Sequence, residues 1–163
     1  MIIREASASD APRLAEIQNP VIRETSVTFN SQERTSADIC HAIDALPCFL
    51  VAELDGVIVG FASYDQFRKG PGYSRTAEHT IVLADGARGK GVGRALMQAI
   101  EDHARNAGYG SLWAGVSAEN PEGVLFHARL GYEEIARLPK VGYKFGRWMD
   151  LVLMRKWLDP TDS

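Results

Sequence analysis

The chain has 163 residues, of which 45% are hydrophobic and 24% are charged, and its formal net charge is −3 at pH 7. This length and composition are typical of a soluble globular protein, so we predict a single domain over residues 1–163 and a cytoplasmic location. Since no apolar run reaches the roughly 20 residues of a membrane span and the net charge is slightly negative, we expect neither a membrane nor a nucleic acid as partner.

Hydrophobic periodicity and turn residues predict the element order β-α-α-β-β-β-α-β-α-β-β. The predicted elements are a strand at 1–5, a helix capped by Asp10, a helix at 36–46, strands at 49–54, 57–64 and 78–83, a helix at 92–107, a strand at 111–116, a helix between Asn120 and Gly131, and strands at 133–137 and 148–157. We expect the first helix to turn Leu14, Ile17 and Val21 inward. The order predicts a mixed α/β fold, with helices on both faces of a mostly antiparallel sheet.

The cysteines and the isolated histidines do not predict a metal site. Cys40 and Cys48 lack the spacing of a metal or redox motif, and we expect both to be buried thiols. His41 and His103 fall on predicted helices without partner ligands, and we expect both to face solvent. We therefore predict a protein without a bound metal.

A glycine-rich segment, Arg88-Gly89-Lys90-Gly91-Val92-Gly93-Arg94, joins the strand at 78–83 to an amphipathic helix. Its glycines leave the backbone bare where the first helical N–H groups lack internal partners, and its basic side chains add positive charge. We predict that it binds a pyrophosphate-bearing ligand; a turn without a ligand is the alternative. A Walker loop is excluded because Gly91, not Ser or Thr, follows Lys90, and the glycine spacing also differs from the dinucleotide fingerprint.

The same segment resembles the acetyl-CoA loop of the GNAT superfamily of N-acetyltransferases, whose pattern is Gln or Arg, two residues, Gly, any residue, and Gly or Ala. A helix that opens at Asn120 and closes with Leu130-Gly131-Tyr132 is similar to the superfamily's second motif. The stretches at 76–80 and 141–151 narrow the resemblance, which covers essentially the whole chain, to the phosphinothricin and methionine sulfone (sulfoximine) acetyltransferase branch. It implies the GNAT fold, with splayed central strands that hold acetyl-CoA as co-substrate.

The resemblance also implies which residues contact the cofactor. They are Ile81, Val82, Leu83, Arg88, Gly89, Lys90, Gly91, Val92, Gly93, Arg94 and Asn120. Backbone N–H groups of residues 81–83 would donate to the thioester and the pantetheine and so supply the oxyanion donors. One departure from the branch lies nearby, since Gly123 stands where the branch usually has Ser, and one hydrogen bond to the cofactor is therefore in doubt.

Two catalytic residues are predicted. An acceptor amine must lose a proton, and the resemblance places the general base at Glu78; the alternative is a strand carboxylate paired with an arginine such as Arg75. The tyrosine that protonates the thiolate in many GNAT enzymes has no obvious counterpart, and His127 is the candidate donor, with a packing histidine as the alternative. His79 follows Glu78 on a strand and must face the opposite side, so we regard it as structural.

The resemblance implies that the turn at 25–29 helps to form the wall of the acceptor pocket, and the loop at 65–75 is expected to line the same site because it directly precedes the strand that leads to the glycine turn. The predicted substrate-binding residues are Phe29, Arg68, Lys69, Gly70, Arg75, Thr76 and Ala77. Ordinary core packing is the alternative for Phe29. Arg75 is displaced by one position relative to the branch, so we favour Arg68 as the residue that binds an acceptor anion; the alternative is that the loop's charges are only solvated.

The predicted function is acetyl-CoA-dependent N-acetylation of the α-amine of a small amino acid or analogue of the phosphinothricin, methionine sulfoximine or methionine sulfone type. The alternatives are acetylation of another amine, such as a polyamine or a protein N-terminus, and a non-catalytic acyl-CoA-binding module. The aromatic and basic side chains at 141–148 predict a homodimer, since interfaces favour this composition and the resembling branch dimerises there; a loop folded on its own domain is the alternative.

Overall fold

The computed structural model describes residues 1–159; the last four residues of the predicted domain, 160–163, lie outside the described residues. The strands are β1 (Ile2–Glu5), β2 (Cys48–Leu54), β3 (Val57–Gln66), β4 (Thr76–Leu83), β5 (Ser111–Ser117), β6 (Glu133–Lys144) and β7 (Arg147–Trp157). The helices are α1 (Ala11–Glu24), α2 (Ser36–Ala45), α3 (Val92–Asn106) and α4 (Pro121–Arg129). Their order is the predicted one. None of the helices in residues 1–159 has the length and apolarity needed to cross a membrane.

All seven strands belong to one sheet with the order β1-β2-β3-β4-β5-β7-β6. Every neighbouring pair is antiparallel except β4 and β5, which run parallel. A parallel pair needs a crossover connection, and α3 provides it between these two strands. The prediction of a mixed α/β fold with a mostly antiparallel sheet is confirmed.

Strands β4 and β5 pair over only a short stretch. Their register runs from Thr76 opposite Ser111 to Glu78 opposite Trp113. Beyond these residues β4 continues beside β3 as far as Leu83, and β5 continues beside β7. The two central strands therefore separate after Glu78, and the sheet opens at its centre.

Two apolar clusters cover the two faces of the sheet. On one face α3 buries Leu96, Met97 and Ile100 against the central strands. On the other face α1 and α2 bury residues that include Leu14 and Ile39. Each fully buried Leu or Ile side chain contributes roughly 1.5–3 kcal/mol, so both helical layers are anchored and the opening between β4 and β5 has rigid walls.

Two details of α1 differ from the prediction. Val21 is half-buried, and Ile22, which is 1% exposed, takes the core position instead. Both positions follow helical spacing from Leu14, at i+7 for Val21 and i+8 for Ile22, so the buried face of the helix is broader than predicted. Asp10 stands at the N-cap, but its carboxylate accepts from Arg4 and from the Ser7 N–H rather than from the first turn of α1.

The expectations for Cys40 and His103 were wrong. The Cys40 thiol is only half-buried because the neighbouring Ile39 occupies the core position on α2. His103 is half-buried, and its Nδ1 shares a hydrogen bond of 2.6 Å with the Tyr64 hydroxyl. His41 is exposed, as predicted.

The long hairpin at the end of the chain also differs from the prediction, which placed a loop from 138 to 146. Strand β6 continues through this segment to Lys144, with a register shift between Leu138 and Gly142. Pro139 lies within β6, which is compatible with a strand because β6 is at the edge of the sheet, where proline is tolerated. The segment 141–147 is therefore the end of the β6–β7 hairpin and not an irregular loop.

Candidate active site

A cleft of about 560 Å³ opens where β4 and β5 separate. Residues 79–83 of β4 form one wall and residues 114–117 of β5 the other. The turn that follows α1, with Val27, Thr28 and Phe29, closes one end of the cleft. The glycine turn and the start of α3 form the other end, together with Asn120 and part of α4. The cleft thus connects the two faces of the sheet.

Alternate residues of β4 direct their backbone N–H and C=O groups toward the cleft. The Ala84 N–H donates to the Val59 carbonyl of β3 at 2.8 Å. Because residues of an antiparallel strand alternate in the direction of their backbone groups, Val82 also faces β3, whereas Ile81 and Leu83 face the opposite side. On that side the pairing with β5 has ended, so Ile81 and Leu83 offer N–H and C=O groups to a ligand.

The glycines of the turn have two different roles. Gly89 and Gly91 both have φ of 78°, a conformation that L side chains rarely adopt, and Gly91 is the N-cap residue of α3. Gly93 lies inside α3 instead, where a Cβ atom would come within 3.2 Å of the Phe126 ring on α4. Gly89 and Gly91 therefore shape the turn, and Gly93 lets α3 and α4 approach closely.

The surface around the glycine turn is positively charged. Arg88, Lys90 and Arg94 are exposed around the N-terminus of α3, whose unpaired N–H groups carry a partial positive charge. Arg88 forms an ion pair of 3.4 Å with Glu122 at the start of α4, across the mouth of the cleft. Exposed pairs of this kind contribute at most about 1 kcal/mol, so a pyrophosphate can readily displace the Glu122 carboxylate.

Asn120 begins α4 as an N-cap. Its Oδ1 accepts from the Gly123 N–H at 3.1 Å. A Cβ atom on Gly123 would lie 2.9 Å from the Asn120 Cγ and 3.1 Å from the Val116 Cγ1. Gly123 therefore leaves the room that the Asn120 amide occupies.

Glu78 is half-buried at the point where β4 and β5 separate. Its Oε2 lies 2.8 Å from where a Cβ atom on Gly115 would stand, and Gly115 lines the cleft. Within residues 1–159 the Glu78 carboxylate has no hydrogen-bond or ion-pair partner, and burial raises its pKa. Arg75 does not pair with it, since that guanidinium contacts the Gly108 carbonyl at 3.3 Å and Asp159 at 3.8 Å.

His127 and His79 form a buried pair beside the cleft. The Nδ1 of His127 lies 2.7 Å from the Gly123 carbonyl, which can only accept, so this nitrogen carries the proton. The two Nε2 atoms are 3.1 Å apart, and His79 must therefore donate to His127. Burial lowers the pKa of both rings, that of His79 to about 3. Both are neutral at pH 7, and His127 has no proton free to give to a ligand.

Tyr132, Glu101 and Lys156 form a second group of interacting side chains, next to the two histidines. The Tyr132 ring packs edge-on against both histidines, with centroid distances of 5.3 and 6.0 Å. Its hydroxyl donates to Glu101 at 3.0 Å, and Lys156 donates to the same carboxylate at 2.8 Å. Neither Glu101 nor Lys156 was predicted to have a role, because no local motif marks them and their contacts span 31 and 55 residues.

The predicted acceptor residues are not all brought to the cleft. Phe29 lines it directly. Arg68 and Lys69 are exposed on the loop after β3, outside the cleft lining, and the Gln66 amide holds that loop by donating to the Arg68 and Gly70 carbonyls at 2.8 and 2.5 Å. Ala77 is buried in the sheet, Thr76 is the first residue of β4, opposite Ser111 of β5, and Arg75 directly precedes it. Phe67 packs against Trp113, which places the loop on the Glu78 face of the sheet.

The described part of the chain, residues 1–159, has no cluster of three or more His, Cys, Asp or Glu side chains that could hold a metal ion. The groups that line or adjoin the cleft are the Glu78 carboxylate, backbone donors of β4 and the glycine turn at the N-terminus of α3. A carboxylate with a raised pKa can accept a proton near neutral pH, and backbone N–H groups can stabilise a developing oxyanion. These are the requirements for acyl transfer to an amine.

Comparison with known proteins gives the same result. Residues 13–132 match the Acetyltransferase (GNAT) family. The chain is 34% identical over 169 residues to an L-methionine sulfoximine/L-methionine sulfone acetyltransferase of Pseudomonas aeruginosa, covering 99% of this chain and 96% of the relative. It is 30% identical over 166 residues to a phosphinothricin N-acetyltransferase of Alcaligenes faecalis, covering 99% of this chain and 84% of the relative.

Among solved structures, YncA of Salmonella typhimurium, determined with its cofactor acetyl-CoA, superposes with a TM-score of 0.92 at 32% identity, covering 98% of this chain and 94% of that one. The glycine turn and the separated central strands are consistent with the family match, and the alignments with the relatives cover nearly the whole chain. The chain belongs to the GNAT family of acetyltransferases.

Proposed function

We propose that this protein transfers the acetyl group of acetyl-CoA to the α-amine of a small amino acid or analogue, of the methionine sulfone, methionine sulfoximine or phosphinothricin type. The observation that carries the proposal is the Glu78 carboxylate, which has no partner within residues 1–159 and lies where the central strands separate. The relatives named for these acceptors align along nearly the whole chain, which supports the acceptor class.

The proposed transfer is direct. Acetyl-CoA places its pyrophosphate on the turn at 88–93 and its thioester beside β4, where the backbone N–H groups of Ile81 and Leu83 are directed into the cleft. The amine nitrogen attacks the thioester carbonyl, Glu78 takes the proton that the nitrogen loses, and the C–S bond breaks. The CoA thiolate that departs takes a proton from water.

We assign His127 to the shape of the cofactor side of the cleft rather than to proton donation. Its Nδ1 proton is held by the Gly123 carbonyl, its Nε2 accepts from His79, and its lowered pKa keeps it neutral at pH 7. A proton donor needs a free N–H directed at the leaving group, which this arrangement lacks. The earlier interpretation of His127 as the acid is therefore not part of the proposed mechanism.

We assign Arg68 as the residue that binds the anionic group of the acceptor. Its guanidinium is exposed and forms no ion pair among the described residues, whereas Arg75 is directed toward the Gly108 carbonyl and Asp159. The planar guanidinium binds a carboxylate or phosphinate with two parallel hydrogen bonds. The loop that carries it must move toward the cleft to do so. An anion-binding loop favours amino acids over cationic polyamines.

One experiment separates the candidate functions. Release of CoA thiol from acetyl-CoA is measured with a panel of amines that contains methionine sulfone, phosphinothricin, spermidine and a peptide with a free N-terminus. We expect turnover with the first two. Turnover only with spermidine or only with the peptide would move the assignment to another amine. Binding of acetyl-CoA without turnover on any amine would favour a non-catalytic acyl-CoA-binding module.

We further propose that the protein is a cytoplasmic homodimer. Val141, Tyr143, Phe145 and Trp148 are 49–59% exposed at the end of the β6–β7 hairpin. Side chains of this size and character in one exposed patch are typical of protein interfaces. Static light scattering at micromolar concentration tests the dimer, and a monomer mass would reject it.

A further inference from the structure

The end of the β6–β7 hairpin has an inner face as well as an exposed one. Alternate residues of a strand point to opposite sides, so Gly142 and Lys144 face inward while Tyr143 and Phe145 face outward. The inner residues contact the turn at 25–29, which closes one end of the cleft. We refer to Gly142 and Lys144 as the clasp.

Lys144 forms the polar half of the clasp. Its side chain is directed into the interior, and its residue is 4% exposed. The Nζ donates to the Thr25 carbonyl at 2.6 Å and to the Thr28 carbonyl at 2.8 Å. No carboxylate among residues 1–159 forms an ion pair with it. Thr25 is the C-cap of α1, and carbonyls at a helix C-terminus carry partial negative charge, which suits an ammonium group.

Gly142 forms the apolar half of the clasp. The Phe29 ring lies directly on its backbone, so that a Cβ atom at this position would stand 2.6 Å from the Phe29 Cγ. Gly142 has no positive φ, so it is the ring, not the backbone conformation, that requires glycine here. The position of Phe29 in the cleft therefore depends on the hairpin as well as on the turn.

Lys144 and Gly142 both contact the turn at 25–29, which forms one wall of the cleft. Thr28 and Phe29 line the cleft at the end opposite to the glycine turn, and the clasp holds both. Without the ammonium group, two partly buried carbonyls would lose their side-chain donor, and the turn would be less firmly held. The two hydrogen bonds of Lys144 and the ring contact of Gly142 all involve the turn at 25–29 and not residues 88–93.

We propose that Lys144 is a positioning residue for the acceptor: by holding the Thr25 and Thr28 carbonyls it fixes Phe29 and the acceptor wall, and so sets the affinity for the acceptor but not for acetyl-CoA. This inference rests on the proposed function, because it takes the end of the cleft beside Phe29 as the acceptor end. It assigns a role to the 141–148 segment within its own chain, in addition to the proposed dimer contact.

The test compares Lys144→Met with Lys144→Arg and with Lys140→Met as the matched control. Met keeps the length of the side chain but has no donor, Arg restores the donors, and Lys140 is an exposed lysine on the same strand. With methionine sulfone as acceptor, Lys144→Met should raise the acceptor KM about tenfold or more, because small displacements of a positioning wall have effects of this size. The acetyl-CoA KM should stay within about twofold, as expected for a site that the change does not touch.

Lys144→Arg should recover most of the acceptor KM, and Lys140→Met should match the wild type. An unchanged acceptor KM in Lys144→Met, or an equal rise in both KM values, would overturn the inference. Gly142→Ala is a second variant, useful if Lys144→Met does not fold. It displaces Phe29 without removing the ammonium group and should also raise the acceptor KM alone.

Hydrogen exchange separates this inference from the proposed function. Amides of residues 25–29 should exchange faster in Lys144→Met than in the wild type or Lys140→Met, whether or not methionine sulfone is a substrate. If the wild type acetylates none of the amino acids but residues 25–29 exchange faster in Lys144→Met, the acceptor assignment is wrong. The conclusion that Lys144 fixes the turn at 25–29 is then still supported. If exchange at 25–29 is unchanged while the wild type is active, the clasp fails and the function stands.

Discussion

Replacement of Glu78 by Gln removes the proposed general base with little other change. The carboxylate has no hydrogen-bond or ion-pair partner among residues 1–159, so the amide breaks no contact. Removal of a general base lowers rates by about 10²–10⁴, and since each tenfold change is 1.36 kcal/mol, this corresponds to about 3–5 kcal/mol of barrier. We expect kcat to fall by about 10² or more, with acetyl-CoA affinity nearly unchanged.

The raised pKa of Glu78 sets the direction in which activity and stability change with pH. Burial raises the Glu78 pKa, so the carboxylate becomes available as a base only above its usual range, and kcat/KM of the wild type should fall as the pH drops through that raised pKa. The same shift means that the folded state binds the proton more tightly than the unfolded state. The ionised carboxylate therefore lowers stability, and this effect is absent at low pH and grows as the pH rises. Glu78→Gln should gain thermal stability over the wild type at pH 7 and lose that gain near the ordinary carboxyl pKa.

Stopped-time thiol release with methionine sulfone measures kcat across pH, calorimetry measures acetyl-CoA affinity, and thermal unfolding measures the stability difference. Glu133→Gln is the control, because Glu133 is an exposed carboxylate on β6, outside the cleft lining. It should retain the wild-type rate within about twofold. If Glu78→Gln keeps more than about half of the wild-type rate at neutral pH, where the loss of a base should be about 10² or more, Glu78 is structural and the proposed mechanism is wrong.

Four further predictions follow from other parts of the molecule. Gly91→Val should abolish acetyl-CoA binding, because φ of 78° excludes a β-branched residue, and unchanged affinity of the folded variant in calorimetry would reject the turn as the cofactor site. Gly93→Ala should lower the melting temperature, since its Cβ would meet Phe126 at 3.2 Å, and an unaltered melting temperature would contradict this. Arg68→Lys should raise the acceptor KM far more than the acetyl-CoA KM, and equal values would reject the anion assignment. Trp148→Asp should convert a dimer to a monomer in light scattering; a dimer that persists would place the interface elsewhere.

The sequence by itself determined the order of the helices and strands and the glycine turn at 88–93. Strand and helix periodicity, the glycines at 89 and 91 and the capping Asn120 act through neighbours a few residues away, so their consequences are present in any local stretch. The same holds for the resemblance of the turn and of the α4 region to the GNAT motifs. The mostly antiparallel mixed sheet follows from these elements and is confirmed.

Only the tertiary structure decided which side chains meet. The His127–His79 contact spans 48 residues, and the Lys144 bonds span 119 and 116. Periodicity gives the face on which a residue lies but not its partner across the sheet, so the sequence left the alternative partner of Glu78 open and attached no role to Lys144. The His127–Gly123 contact is local, since the two residues lie four apart on α4, but the contact that fixes the proton position on His79 joins α4 to β4 across the fold, which no local pattern encodes.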